Sequence, residues 1–286
     1  AVPAGISLKP EEGKSFDYGI VYDPHWLEGF SVNVDYWRIY LNDTITTILA
    51  NTVANVCFNN DASPFCNYIT RFPDGQVNFI LEPTVNLGRL DTKGVDVGFK
   101  YRLPETSIGN FGVSLDATYV ARYDNDPAPG TPGDVTAHVA GHYNNQYGNY
   151  ARWRALAGVN WNLGAFDASW RIRYVGRVSV GSEDPAQGIS ADGCYQQPIC
   201  TQFGLPNVEN PVRLRFGAQV YNNVQFGYNI EPINTRIDVG IDNVFDRTYA
   251  EHISRAAAAV AGYDAPTTRV NEPGRFVWAK LSMSFD

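Results

Sequence analysis

Two histidines four residues apart, His138 and His142, with Asp134 shortly before them, are the residues whose types first suggest chemistry. Two His at i and i+4 on a helix face can ligate zinc, and a His–Asp pair can activate a nucleophile. Their surroundings, Pro132, Gly133 and Gly141, are poor helix material, so histidines in a solvated loop are the plainer reading. His25 and His252 have no partner in sequence, and no GxSxG, HExxH or phosphate-binding loop is present. Asp124-Asn125-Asp126 begins like a calcium loop but lacks the rest of the pattern. No catalytic residue, cofactor site or metal site is assigned, and the chain is not expected to be an enzyme.

Three other sets of side chains matter. Four cysteines fall in two close pairs, Cys57 with Cys66 and Cys194 with Cys200. Four cysteines allow three connectivities, among which the sequence does not choose. Local pairing is the economical expectation, giving two loop staples in an oxidising compartment. Zinc is disfavoured by the absence of CxxC spacing and of nearby histidines; free thiols are the bland alternative. Arg171, Arg173 and Arg177 could line an anion path. Pairing with acidic residues of neighbouring strands (Asp96, Asp116, Asp167, Asp238) explains them better, because the two signs are interleaved. Aromatic and amide-rich loop segments make Tyr143, Tyr147, Tyr195 and Gln196 the candidates for ligand contact, although such residues also merely pack loops together.

These groups must be held by strands. In Phe166–Val180 every second residue is apolar or small (Phe166, Ala168, Trp170, Ile172, Tyr174, Gly176, Val178, Val180), and the residues between include Asp167, Arg171, Arg173 and Arg177. Successive side chains of a strand face opposite ways, so one face is greasy and the other charged. Soluble strands run about 5–6 residues, whereas one crossing a bilayer at a tilt needs about 9–11. The same pattern recurs, and strands are expected at 14–23, 29–41, 77–103, 110–124, 149–163, 165–180, 212–230, 235–249 and 275–285, with a bulge near Trp37. Long loops are expected at 42–76, 125–148, 181–211 and 250–274. They alternate with short turns near Pro24, Pro104, Gly164 and Pro232. An up-and-down meander puts all long loops at one end, the asymmetry of outer-membrane barrels. The fold class read here is all-β, a transmembrane antiparallel up-and-down β-barrel.

Composition agrees. Aromatics reach 13 %, with 26 Gly and 17 Pro, which favours strands and turns. The longest helix-like apolar run, 256–261, is far short of the roughly 20 residues of a membrane-spanning helix. A net charge of -8 argues against nucleic acid as a partner. Ala1–Gly5 has neither a charged nor an apolar signal region, so any export signal is expected to have been removed or to lie outside this sequence.

Four motifs in order resemble TonB-dependent outer-membrane receptors. Leu8-Lys9-Pro10-Glu11-Glu12 followed by Tyr18-Gly19 resembles the family's strand entry. Asn86, Gly88 and Gly94-Val95-Asp96-Val97 resemble its N-x-G…G-V-D strand. Asn243-Val244-Phe245-Asp246 with Tyr249 is similar to its N-L-F-D…Y motif, and Pro273-Gly274-Arg275 with a terminal aromatic to its closing strand. The resemblance implies a barrel of about 22 strands. Residues 1–286 would supply about nine C-terminal strands of it, without the N-terminal plug or the TonB box.

The resemblance also implies a location in the bacterial outer membrane and import of a scarce extracellular solute to the periplasm with TonB-transmitted energy. The implied partners are membrane lipid, the protein's own plug and remaining strands, the TonB complex through the missing N-terminal region, the barrel assembly machinery and an unidentified solute. Arg171, Arg173, Arg177, Asp96, Asp116 and Asp238 would then face the lumen. The alternatives are a self-contained outer-membrane barrel enzyme of the surface-protease kind and a passive porin.

Overall fold

Strands that alternate every second residue have two dissimilar faces, and antiparallel pairing with chain neighbours keeps like faces together. The computed structural model describes residues 7–130, 136–144, 148–180, 189–190, 193–194, 215–247 and 274–284. In chain order these carry β1 (Glu12–Tyr22), β2 (Phe30–Thr47), α1 (Ala50–Asn59), a 3₁₀ turn (Pro64–Tyr68), β3 (Ile69–Arg71), β4 (Val77–Ile80), β5 (Thr84–Arg102) and β6 (Asn110–Asp126). Then come β7 (Ala137–His138), β8 (His142–Asn144), β9 (Gly148–Asn149), β10 (Trp153–Leu163), β11 (Phe166–Val175) and β12 (Val178–Val180). The last are β13 (Ile189–Ser190), β14 (Gly193–Cys194), β15 (Arg215–Phe216), β16 (Gln219–Ile230), β17 (Thr235–Asp242) and β18 (Phe276–Met283).

The main sheet runs β1-β2-β5-β6-β10-β11-β16-β17-β18, a meander whose order follows the chain. It is an open sheet: β1 and β18 are its two edges. No described helix is long and apolar enough to cross a membrane.

Pairing aligns the two faces across six strands. One row reads Val113, Val159, Trp170, Val224, Ile241, Val277. A row on the other face, three residues along, reads Asn110, Asn162, Asp167, Gly227, Asp238, Lys280. The apolar face is left bare: Trp170 is 44 % exposed, Phe226 56 % and Val277 67 %. Aromatics sit near both ends of this face. Tyr119 stacks on Trp153 with ring centroids 4.7 Å apart, and Phe166 on Tyr228 at 4.6 Å. On β10 the outward residues between Trp153 and Trp161 are Ala155, Ala157 and Val159. Eight residues at about 3.4 Å span ~27 Å, or ~21 Å along the normal at a tilt of ~40°, close to the apolar band of an outer-membrane barrel.

One polar residue interrupts the bare face. Asn222 stands in the apolar row of Ala157 and Ile172, yet its side-chain oxygen accepts a 3.1 Å bond from the Trp170 indole and the residue is buried. The indole satisfies the amide oxygen and shields it.

The described residues fall into two compact units. The first comprises Ala1–Asp17, Trp37–Gly94 and Ala121–Ala140; the second comprises Tyr18–Tyr36, Val95–Val120 and Gly141–Asp286. The first has a true core, in which Ile48, Val53 and Ala128 are wholly buried against Phe65, Tyr68, Ile69, Ile80, Val85 and Leu87. A Cys57–Cys66 disulfide, Cα–Cα 5.0 Å, ties α1 to the 3₁₀ turn. The second unit holds β10, β11, β16, β17 and β18 of the main sheet and the remaining parts of β1, β2, β5 and β6.

Several expected boundaries differ from those observed, each for a local reason. The region expected to be a loop at 42–76 holds the end of β2, α1, the 3₁₀ turn and β3. The strand expected at 77–103 breaks at buried Pro83, which has no N–H to donate. The strand expected at 165–180 stops at Val175: the Gly176 N–H donates to Trp153 O (2.8 Å), and β12 pairs instead with β15 and, in parallel, with β8. That expected at 235–249 stops at Asp242, because Asn243 takes a left-handed φ of 52°. That expected at 149–163 begins at Trp153, since Gly148–Asn149 pairs with β8. The tight turn after β10 places Gly164 at φ 55°, a conformation glycine enters without steric penalty.

Candidate functional site

The charged face of the sheet is where chemistry is concentrated, and registry decides which charges meet. Asp116 on β6, Leu156 on β10, Arg173 on β11 and Tyr221 on β16 share one row; Thr118, Arg154, Val175 and Gln219 share the next. With Asn33 of β2 and Asp96 of β5, the members of these rows on β6, β10 and β11 line a concavity of the second unit. Asn33 lies over Gly98, where any Cβ would collide with it, and donates to Asp35 at 2.7 Å. Arg173 sits over the Tyr221 ring, 5.2 Å from its centroid. Buried Tyr221 donates its hydroxyl to Gln219, also buried. One carboxylate oxygen of Asp96 is buried and makes no hydrogen bond among the described residues.

Further along the same face, Arg236 is held by two carboxylates. Its Nη1 and Nη2 donate to Asp167 at 2.7 and 3.0 Å, and its Nε to Asp238 at 2.9 Å. Gly227 makes this possible, because a Cβ there would occupy the space where Arg236 meets Asp167. Gln225 adds a bond to Asp238 at 3.2 Å.

The first unit has its own ion network. Arg38 grips Asp91 with two 3.0 Å bonds, and Arg122 reaches the same carboxylate at 3.1 Å. Arg122 also lies 3.5 Å from Asp124, whose other oxygen is 2.8 Å from His138. Arg89 pairs with buried Asp126 at 2.8 Å.

The expected site residues are distributed unevenly. Asp96, Asp116 and Arg173 share the concavity. Arg171 is an exposed member of β11 between Gly158 and Asn223. Arg177 lies between β11 and β12, outside either strand. Asp167 and Asp238 are paired with Arg236 rather than with the arginines of β11. The signal for this was Arg236 standing two residues before Asp238, on the same face. His138 meets Asp124 and is 73 % exposed; Asp134 lies outside the described residues. The described residues include no group of three or more His, Cys, Asp or Glu able to hold a metal. Tyr147, Tyr195 and Gln196 fall outside the described residues, as does Cys200; Tyr143 and Cys194 are described only as backbone, in β8 and β14.

The quoted motifs prove to be joints. Asn86 accepts from Lys9 N–H (2.8 Å) and donates to Lys9 O (2.8 Å) and Asp43 O (2.9 Å), clamping the chain that enters β1. Glu11 accepts from Ile45 N–H at 2.7 Å. Asn243, buried, donates to Arg247 O (3.0 Å) and accepts from Arg247 N–H (2.8 Å), closing a turn on itself. Asp246 accepts from Arg275 N–H at 2.8 Å, pinning the start of the last strand.

Comparison with known proteins agrees with this architecture. A family described as TonB dependent receptor-like, beta-barrel matches residues 1–244. None of the curated proteins matches the chain. Among solved structures, the ferric enterobactin receptor PfeA of Pseudomonas aeruginosa (G324V mutant) is 16 % identical with TM-score 0.55, covering 97 % of this chain and 32 % of that one. The same receptor bound to enterobactin, as the Q482A mutant, is 18 % identical with TM-score 0.57 and the same coverage. The copper transporter OprC is 18 % identical with TM-score 0.52, covering 100 % of this chain and 33 % of that one. The chain thus spans about a third of the length of these structures.

Proposed function

Because this chain belongs to the TonB-dependent receptor β-barrel family and to the bacterial outer membrane, we propose that it forms part of the wall of a transporter. That transporter binds a scarce extracellular solute and admits it to the periplasm with energy transmitted by TonB. The apolar face meets lipid. The face bearing Asp96, Asp116, Arg171, Arg173 and Asp238 lines the lumen. The partners are the protein's own plug and remaining strands, the TonB complex, the assembly machinery and the solute.

One observation carries the reading: a single sheet keeps one face bare and apolar between aromatic ends while its other face is rich in charges and ion pairs. In water the bare face would be an aggregation surface; in lipid it is at home. Transport is favoured over catalysis because the matching family is one of receptors, and His138 of the His138–Asp124 pair is 73 % exposed. The solved relatives are named for ferric enterobactin in one case and copper in another, so the shared architecture carries no solute identity.

The test is uptake by cells bearing the full-length receptor, with and without TonB. Accumulation of the growth-limiting solute should require both. Equal uptake without TonB would overturn the reading and favour a passive pore.

A further inference from the structure

We infer that Asp242, Phe276 and Trp278 form a binding site for an organic cation with a quaternary ammonium head, at the loop-side end of the charged face. The inference rests on the reading of that face as the lumen wall and adds the charge class of the solute to it.

Register puts the three groups together. Asp242 ends β17 and stands directly opposite Phe276, the first residue of β18, while Gly240 stands opposite Trp278. Side chains two apart on a strand share a face, so all three belong to the side that carries Asp238 and Lys280. The Trp278 indole lies over Gly240, where any Cβ would collide with Nε1, Cε2 and Cζ2. Asp242 is ~5 Å from Phe276 across the strand pair, Cβ to Cβ, and ~7 Å along β17 from the residue that the indole covers. Phe276 is 51 % exposed, and Asp242 and Trp278 are half-buried. Asp242 has no side-chain hydrogen bond or ion pair among the described residues. The backbone on either side is pinned. Asn243 N–H donates to Asn223 Oδ1 at 2.9 Å, beside Asp242, and Arg275 N–H donates to Asp246 at 2.8 Å, beside Phe276.

The chemistry selects the ligand. A carboxylate beside two rings repels anions, since a ring face is also negative. A hard metal ion wants several oxygens, and the described residues gather no group of three or more acidic or other ligating side chains. An uncharged apolar group would cover the carboxylate without replacing its water. A primary ammonium has three N–H donors, which one carboxylate satisfies only in part. A quaternary head has no donors to satisfy. Its charge is drawn to Asp242 and its methyl groups rest on the rings, within the ~6 Å of a ring centroid at which cation–π attraction acts. It settles on the three side chains from the open side of the sheet and is not squeezed between them. The nearby cations are occupied or distant. Lys280 stands opposite Asp238. Arg171 is two strands from Asp242, ~10 Å, about one Debye length.

The experiment uses the full-length receptor in detergent and labelled choline as probe, with binding read by equilibrium dialysis. Choline should bind, and its uncharged isostere, the dimethylbutanol in which carbon replaces the nitrogen, should bind at least about tenfold more weakly. Asp242→Asn should weaken choline about tenfold and remove most of that preference. Trp278→Leu should weaken choline about three- to thirtyfold, the range of one cation–π contact, while Trp170→Leu on the bare face leaves it unchanged. Retained heat-modifiable migration on gels shows that each variant is folded, and the comparison of the two probes on the unaltered receptor needs no variant. No binding of choline, equal binding of the isostere, or equal losses in Trp278→Leu and Trp170→Leu would overturn the inference. Binding at equilibrium needs no TonB, so failure here leaves the transport reading standing. TonB-independent uptake would sink that reading without touching the site.

Discussion

Ile48 and Trp170 are both large and apolar, yet one is wholly buried and the other 44 % exposed. They stand for two regions built from similar residues for different surroundings. Around Ile48 the chain behaves like a small secreted protein, with a core, a helix and a disulfide staple. Around Trp170 it keeps its apolar side chains on the outside and its ion pairs on the opposite face. The lesson is that hydrophobic content alone does not locate a core. What separates the regions is whether the apolar groups face one another or face outward in a period-two row.

The sharpest way to break the comparison is to remove core volume. Ile48→Ala should destabilise the stapled region by about 2–5 kcal/mol, the usual range for such truncations. Hydrogen exchange of 48–59 should speed up while that of β16 stays slow; uniform acceleration would mean that the regions are not distinct. Next comes charge on the bare face. Ile172→Arg should cost about 2–4 kcal/mol in lipid, and Ser169→Arg, on the other face, close to nothing. Unfolding by urea in vesicles measures both, and equal effects would mean that the faces are wrongly assigned.

Opening the staple should have a smaller and local effect. Cys57→Ser should cost about 2–3 kcal/mol on the loop-closure model, seen as easier proteolysis within 50–80. Unchanged protease resistance would show that the buried core holds this region without help. The smallest effect should come from Asn222→Leu. It strands the Trp170 indole N–H at about 0.5–1.5 kcal/mol, partly offset by replacing an amide with an apolar side chain in lipid. A loss of several kcal/mol would give Asn222 a larger role than indole partner.

Alternation is written in adjacent residues, so the faces, the meander and the short turns were legible without coordinates. What was not legible depended on partners distant in sequence. Asn86 looks like any strand amide until Lys9 and Asp43 present their backbones to it. The helix Ala50–Asn59 contains three Asn and two Val, which are weak helix formers. Burial of Val53 and Val56 and the disulfide at Cys57 provide tertiary support that local propensity does not show. The end of β11 was hidden because alternation continues through Gly176 to Val180 while the hydrogen bonds change partner. In the candidate site, the sequence pattern placed Asp96, Asp116 and Arg173 on one face. It did not show that Arg236 would take Asp167 and Asp238, because that contact depends on the missing side chain at Gly227.

The central claim is that one face of this sheet meets lipid and the other does not. It is tested most directly by single cysteines along β16 of the full-length receptor, labelled with bimane and quenched by brominated lipid. Labels at Val220, Val224, Phe226 and Tyr228 should be quenched, and those at Tyr221, Asn223, Gln225 and Asn229 should not. Quenching without a period of two, or with the reverse phase, would contradict the account.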